Sequence, residues 1–315
     1  MTAPAELAPS PSARRPTRQG LSRLIIADRR AAWAFLAPMM LVIAAVALWP
    51  LGRTFFFSIT DAFLDDPRNY SIVGIANFLE ILDDRSWWVA VRNTLTFTVI
   101  SVSLETGLGL AIALLVNQAI PGRGLVRAAV LVPWSIPVVV SAKIWEWMLN
   151  DQFGIINTLL VGIGVLDKGV AWTANDGLIM GVVIFIDVWM TTPFMVLLIL
   201  AGLQMIPGEL FEAAEVDGIP AWKRFWSITL PLLRPALGVA ILFRVLDALR
   251  MFDLAYVLSA SNENIMTVSI YARDRLISFQ ELGTGSAASS LVFLLVALIA
   301  ILLMGLLRLD RAAGA

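Results

Sequence analysis

The chain contains no cysteine and no histidine. Without cysteine there is no disulfide framework, without either there is no zinc site of the usual His/Cys kind, and no histidine can serve as a general base. Lysine is nearly missing too. Lys143, Lys168 and Lys223 are the only three, and none follows a glycine, so no Gly-Lys-Ser/Thr phosphate loop is encoded. If ATP powers this protein, another polypeptide binds the nucleotide. Charged residues make up only 15% of the chain, and a net charge of −1 gives no bulk attraction to nucleic acid. Hydrocarbon fills the space instead. Hydrophobic residues are 59% of the 315, and several uncharged stretches exceed the roughly 18 residues that mark a membrane helix. An all-α, polytopic membrane protein is expected.

Residues 1–30 are rich in Pro, Ala, Ser and Arg, have little to bury, and read as a disordered tail. A long stretch before the first span, and no clear small-residue cleavage site after it, favour an uncleaved tail over a signal peptide. Six spans follow within a single membrane unit, 31–307, at about 31–51, 93–117, 128–149, 178–203, 235–258 and 284–307. Pro133 and Pro137 should bend the third, since each removes a backbone donor and crowds the preceding turn. Basic residues collect in the tail, in the loop after span two (Arg123, Arg127), around Lys223, Arg224 and Arg234, and at the C-terminus 308–315 (Arg308, Arg311). Positive charge is retained in the cytoplasm, so both termini are expected to face inward.

Ionisable residues inside spans carry the functional signal. A charge at the bilayer centre costs about 2.5–3.5 kcal/mol on insertion scales, so such groups face a bundle interior or a watery cavity. Span five holds Arg244, Asp247, Arg250 and Asp253, each three residues from the last and alternating in sign, so neighbours can pair. A step of three winds slowly round the helix, and all four cannot face one cavity. Arg244 and Asp247, with Met251 one turn on, are candidates for a lumen; Arg250 and Asp253 read equally well as a pair that neutralises itself. Span four carries Asp187, Met190, Thr191, Pro193 and Phe194 in IDVWMTTPF. Charged groups for hydroxyls and aromatic faces for rings are what a sugar site needs. The competing reading is a proline-kinked packing site with a capped aspartate. Glu105, alone in span two, is assigned to no substrate. Nor are Lys143 and Glu146, which read as a snorkelling surface pair. Small-residue runs at 106–113 and 283–290 read as close helix packing.

Between spans four and five, residues 205–231 break the apolar pattern. Glu212-Ala213-Ala214 starts a short helix, Asp217-Gly218 interrupts it, and Ala221 to Ser227 resumes helically towards Pro231. Glu-Ala-Ala, three residues, Gly218, nine residues, then Ile228-x-Leu230-Pro231 resembles the cytoplasmic signature of permease subunits of bacterial binding-protein-dependent ABC importers. The resemblance runs over nearly the whole chain after the tail and is strongest to maltose- and trehalose-type sugar permeases.

It implies a type I ABC importer permease fold with six transmembrane helices in the inner membrane. Glu212, Ala213, Ala214, Asp217 and Gly218 would form a coupling helix seated in a cleft of the ATPase. The implied partners are a second permease subunit, two ATPase subunits, an external sugar-binding protein and a sugar such as trehalose, maltose or a related α-glucoside. No cofactor or metal is implied. Matching positions place Asp187, Met190, Thr191, Phe194, Arg244, Ala248 and Met251 at sugar contacts. Asp187, Thr191 and Arg244 differ in type from the maltose permease, which puts maltose itself in question. The alternative from the residues alone is a secondary transporter driven by protons through intramembrane carboxylates.

Overall fold

A computed structural model describes residues 32–118, 121–259 and 262–307. The expected N-terminal tail and the C-terminus 308–315 lie outside the described residues. Among those described, every extended regular element is a helix, and the single β feature is an isolated bridge between Thr60 and Ile72. In chain order the helices are α1 (Ala32–Phe57), α2 (Ala76–Asp83), α3 (Arg85–Asn117), α4 (Arg123–Ser135), α5 (Val138–Met148), α6 (Ile155–Gly162), α7 (Ile179–Gln204) and α8 (Glu209–Val216). Helix α9 follows, residues 221–248, with a π-helical turn at Phe225–Thr229, then α10 (Asp253–Ser259), α11 (Val268–Arg273) and α12 (Leu282–Leu307). Five stretches are long and apolar enough to span a membrane: α1, α3, α7, α9 with α10, and α12. The pair α4 and α5 makes a sixth if counted as one broken span.

The chain divides at Arg53 into two compact units. The described part of the first is a helical run with a π-helical turn at Ala44–Leu48. The second unit, from Thr54 onwards, holds everything that follows.

Local chemistry explains the helix ends. Asp84 is extended and caps α3, its carboxylate accepting the Ser86 N–H at 2.8 Å. The third span was expected to bend. It breaks instead: α4 and α5 meet at 89° because Ile136, just before Pro137, is held extended. Pro193 and Pro235 stay within α7 and α9. The π turn at Phe225–Thr229 lies one turn before Pro231, where the proline ring would crowd a regular α-turn. Span five, expected to about 258, reaches Ser259 but with a break: α9 ends at Ala248 and α10 resumes at Asp253, and the Met251 carbonyl at the break accepts from the Thr267 hydroxyl at 2.9 Å.

Helix α7 is the axis of this unit. Its most apolar window is 67% buried, against 6% for α12, and it packs along α3, α9 and α4. Two apolar clusters grip it. Ile179, Val183, Ile186 and Val188 pack with Phe97 and Val102 of α3, Ala142 of α5, and Leu254 and Leu258 of α10. Met195, Ile199 and Leu203 pack with Ala113 and Val116 of α3 and with Leu233, Leu237 and Ala240 of α9. Gly109 allows the close approach of α3 to α7, since a Cβ there would lie 2.8 Å from the Met195 Cβ. A third cluster joins α2, α3, α11 and α12 through Ile81, Trp87, Val268, Tyr271 and Ala287.

Candidate functional site

On α7, between the two apolar clusters, sit Asp187 and Thr191, one turn apart. Glu105 of α3 faces them, fully buried, and Arg244 of α9 enters from the third side with 2% of its surface exposed. The guanidinium Nε–H donates to Glu105 Oε2 at 2.5 Å, and Nη2 donates to Glu105 Oε1 at 2.9 Å and to Asp187 Oδ2. Nη1 donates to Asp247 Oδ2 at 2.8 Å. Four of the five guanidinium N–H groups are thereby used. The Ser101 hydroxyl lies 2.8 Å from Glu105 Oε1 and also meets Asp187 Oδ2. The Thr191 hydroxyl lies 2.8 Å from Glu105 Oε1 and 2.7 Å from the Asp187 carbonyl. A charge this deep is tolerable only when it is paired and most of its donors are hydrogen-bonded, as here.

The cluster is one wall of a cavity of about 230 Å³. Asp187, Met190, Thr191, Arg244, Asp247, Ala248 and Met251 all line it, so spans four and five bring those expected residues together. Asp247 is the exposed member, with 68% of its side chain accessible. Phe194 stands one layer back, its ring stacked on Trp134 at 5.8 Å, and Trp134 lines the cavity in its place. Arg250 and Asp253 line it too, but Arg250 donates to the Leu246 carbonyl rather than to Asp253. Sequence reasoning left out Glu105, Ser101 and Trp134. A lone carboxylate in a span demands a buried cation, which was the available signal for Glu105. Lys143 and Glu146 form the expected surface pair at 2.7 Å.

Two other features flank this site. An apolar groove of about 570 Å³ runs along α3, α4 and α7, and within it the buried Thr192 Oγ1 has no hydrogen-bond partner among the described residues. At the start of α3, Tyr271 and Arg275 both donate to Asp84 Oδ2 at 2.7 Å, and Arg275 also reaches Glu281 at 3.2 Å. Burial pushes the Asp84 carboxyl up, but the hydrogen bonds from Tyr271, the Ser86 N–H and Arg275 outweigh it and hold the group below its ordinary value. Burial and the bond to Asp84 together raise the Tyr271 phenol.

The stretch between α7 and α9 forms two short helices about a tight turn. Glu212, Ala213 and Ala214 lie on α8, and Asp217 ends it. Gly218 has φ +69°, the Ile219 N–H bonds the Ala214 carbonyl at 2.9 Å, and the Gly218 N–H bonds the Glu215 carbonyl at 3.0 Å. This is a Schellman cap, which requires the left-handed residue that glycine supplies. Ala214 is buried, while Glu212, Val216, Trp222 and Trp226 are exposed.

Apolar spans around a charged internal cavity, with a solvated helix–turn–helix between two of them, define an integral membrane protein of the solute-permease class. Residues 105–311 match the family described as the binding-protein-dependent transport system inner membrane component, and the chain belongs to that family. The Glu212–Pro231 signature fits it. The chain is 40% identical over 280 residues to the trehalose/maltose transport system permease protein MalF of Thermococcus litoralis, covering 87% of this chain and 92% of the relative. It is also 40% identical over 289 residues to the trehalose transport system permease protein SugA of Mycobacterium tuberculosis, covering 92% of each. The fold matches a chain from the crystal structure of a bacterial ABC transporter involved in the import of the acidic polysaccharide alginate. The TM-score is 0.78 at 21% identity, over 91% of this chain and 98% of that one.

Proposed function

We propose that this chain is the permease subunit of an ATP-driven importer for a disaccharide such as trehalose, maltose or a related α-glucoside. The supporting observation is the convergence of Asp187, Thr191, Arg244 and Asp247 with the Trp134 ring on one cavity between spans. Hydroxyl-binding groups beside an aromatic face suit a sugar. The names of the two relatives at 40% identity point the same way. The work is alternating access without covalent chemistry. A second permease would complete the pathway, two ATPase subunits would hydrolyse the ATP, and an external binding protein would deliver the sugar. Helix α8 and the start of α9, with Glu212, Ala213, Ala214, Asp217 and Gly218, would dock in an ATPase cleft and transmit its closure. The basic-residue bias orients this loop and both termini towards the cytoplasm.

The test is reconstitution of the complete complex in vesicles with labelled trehalose and maltose. Uptake is expected to require ATP and the binding protein and to survive collapse of the proton gradient. Asp247→Ala and Thr191→Ala should cut uptake while the subunits still co-purify. Uptake driven by a proton gradient without ATP would overturn the reading, as would normal uptake by both variants.

A further inference from the structure

An arginine at the edge of a polar cavity ordinarily recognises anions, because its planar fork matches a carboxylate, sulfonate or phosphate. Arg244 cannot do so here. Glu105 holds the Nε/Nη2 edge of the guanidinium bidentately, Asp187 takes the second Nη2 proton, and Asp247 takes one of the Nη1 protons. One N–H of Nη1 is left, beside the free oxygen of an exposed Asp247. Every charged group facing the guanidinium is a carboxylate: Glu105 from α3, Asp187 from α7 and Asp247 from α9. The remaining charges of the cavity, Arg250 and Asp253, cancel. By formal charge, Arg244 with its three carboxylates therefore carries an excess of two negative charges, one at the lining and one on Glu105 behind it.

We propose that Glu105 is a specificity-determining, positioning residue. By occupying Arg244 it turns an anion-binding cation into part of a wall that accepts uncharged polyhydroxyl solutes and rejects anionic ones. Glu105 is fully buried behind Arg244 and Thr191, so it acts through them rather than on the solute. What is left for a solute is one donor and one acceptor on adjacent lining residues, the remaining Arg244 Nη1–H and Asp247, a match for a hydroxyl that both gives and takes a hydrogen bond. The assignment of neutral solutes rests on the sugar reading above; the rejection of anions does not.

The experiment uses the assembled complex in nanodiscs, with Trp134 fluorescence as the reporter and Trp134→Phe to isolate its signal. Inorganic sulfate is titrated against sodium chloride at matched ionic strength, and trehalose is titrated separately. Wild-type protein and Glu105→Asp are expected to show no saturable sulfate response. Glu105→Gln, which keeps the shape and loses the charge, is expected to bind sulfate about tenfold tighter or more, as removal of one nearby negative charge in a poorly screened site implies. Asp187→Asn removes a charge from the same cluster and makes the same prediction should Glu105→Gln fail to assemble. Wild-type sulfate affinity equal to that of the variants would overturn the proposal, and so would assembled variants with no gain. Loss of the trehalose response in wild-type protein, with the sulfate pattern intact, would instead overturn only the choice of sugar as solute.

Discussion

Replacing Arg244 with alanine leaves Glu105 and Asp187 buried, at 0% and 5% exposure, with no cation between them. It also strips the guanidinium from four hydrogen bonds at once. Breaking a buried pair by removing one partner costs about 3–5 kcal/mol, most of it the stranded charge. At roughly 2–4 °C per kcal/mol for a unit of this size, the midpoint of thermal unfolding should fall by about 6–20 °C. The informative control removes the buried charges together, leaving only the exposed Asp247: Arg244→Leu with Glu105→Leu and Asp187→Leu. Well-packed apolar replacements of a buried ionic group are often neutral or stabilising, so the triple variant should regain most of the lost midpoint. Transport should remain lost in both. The assay is thermal unfolding of the purified complex in one detergent, with subunit co-purification checked by gel. A midpoint within 2 °C of wild type for Arg244→Ala would show that the guanidinium is not the counter-charge of those carboxylates. A triple variant as unstable as the single one would show that side-chain shape, rather than charge balance, holds this part of α7.

Three further outcomes follow from other sites. Gly218→Val puts a branched side chain at φ +69°, at a local cost of about 1–2 kcal/mol or more; the spans should still insert, while ATPase co-purification or binding-protein-stimulated hydrolysis is lost, and normal values for both would remove this turn from the coupling path. Thr192→Val deletes a buried hydroxyl that has no partner among the described residues and should be neutral or raise stability by up to about 1 kcal/mol, whereas a clear loss would reveal a bond made in the assembled complex. Asp84 has a depressed folded-state value, so its stabilisation is fully present above about pH 4 and disappears as pH falls through that lower value. The gap in unfolding midpoint between wild type and Asp84→Asn should therefore be widest near neutral pH and close in acid; a pH-independent gap would contradict the arrangement around Tyr271 and Arg275.

The sequence made α7 and α12 legible almost to their ends, since both are long uniform apolar runs whose limits are set locally. It also marked Asp187, Thr191, Arg244 and Asp247, because polar groups in hydrocarbon are conspicuous, and Met251 by its place one turn beyond Asp247. It could not show which of them pair. Glu105 reaches Arg244 across 139 positions of chain, and no spacing rule reports so distant a contact. The break between α4 and α5 was underestimated for a different reason. Each proline alone bends a helix, but Pro133 ahead of an extended Ile136–Pro137 step ends one, and that depends on the backbone of Ile136.

Asp247 has a consequence for how the protein is made. A carboxyl group on a span, two-thirds uncovered, is a poor companion for lipid, at about 2.5–3.5 kcal/mol if it must face hydrocarbon as a charge. If a partner chain or enclosed water covers the cavity in the assembled protein, newly inserted copies would carry this uncovered group as a marker of being unassembled. Stoichiometry can then be enforced after synthesis, by membrane proteases that clear orphan copies, without tight matching of translation rates. Expressed without its partner subunits, the chain should turn over faster than when co-expressed, and Asp247→Asn should lengthen the lifetime of the orphan in a pulse-chase measurement.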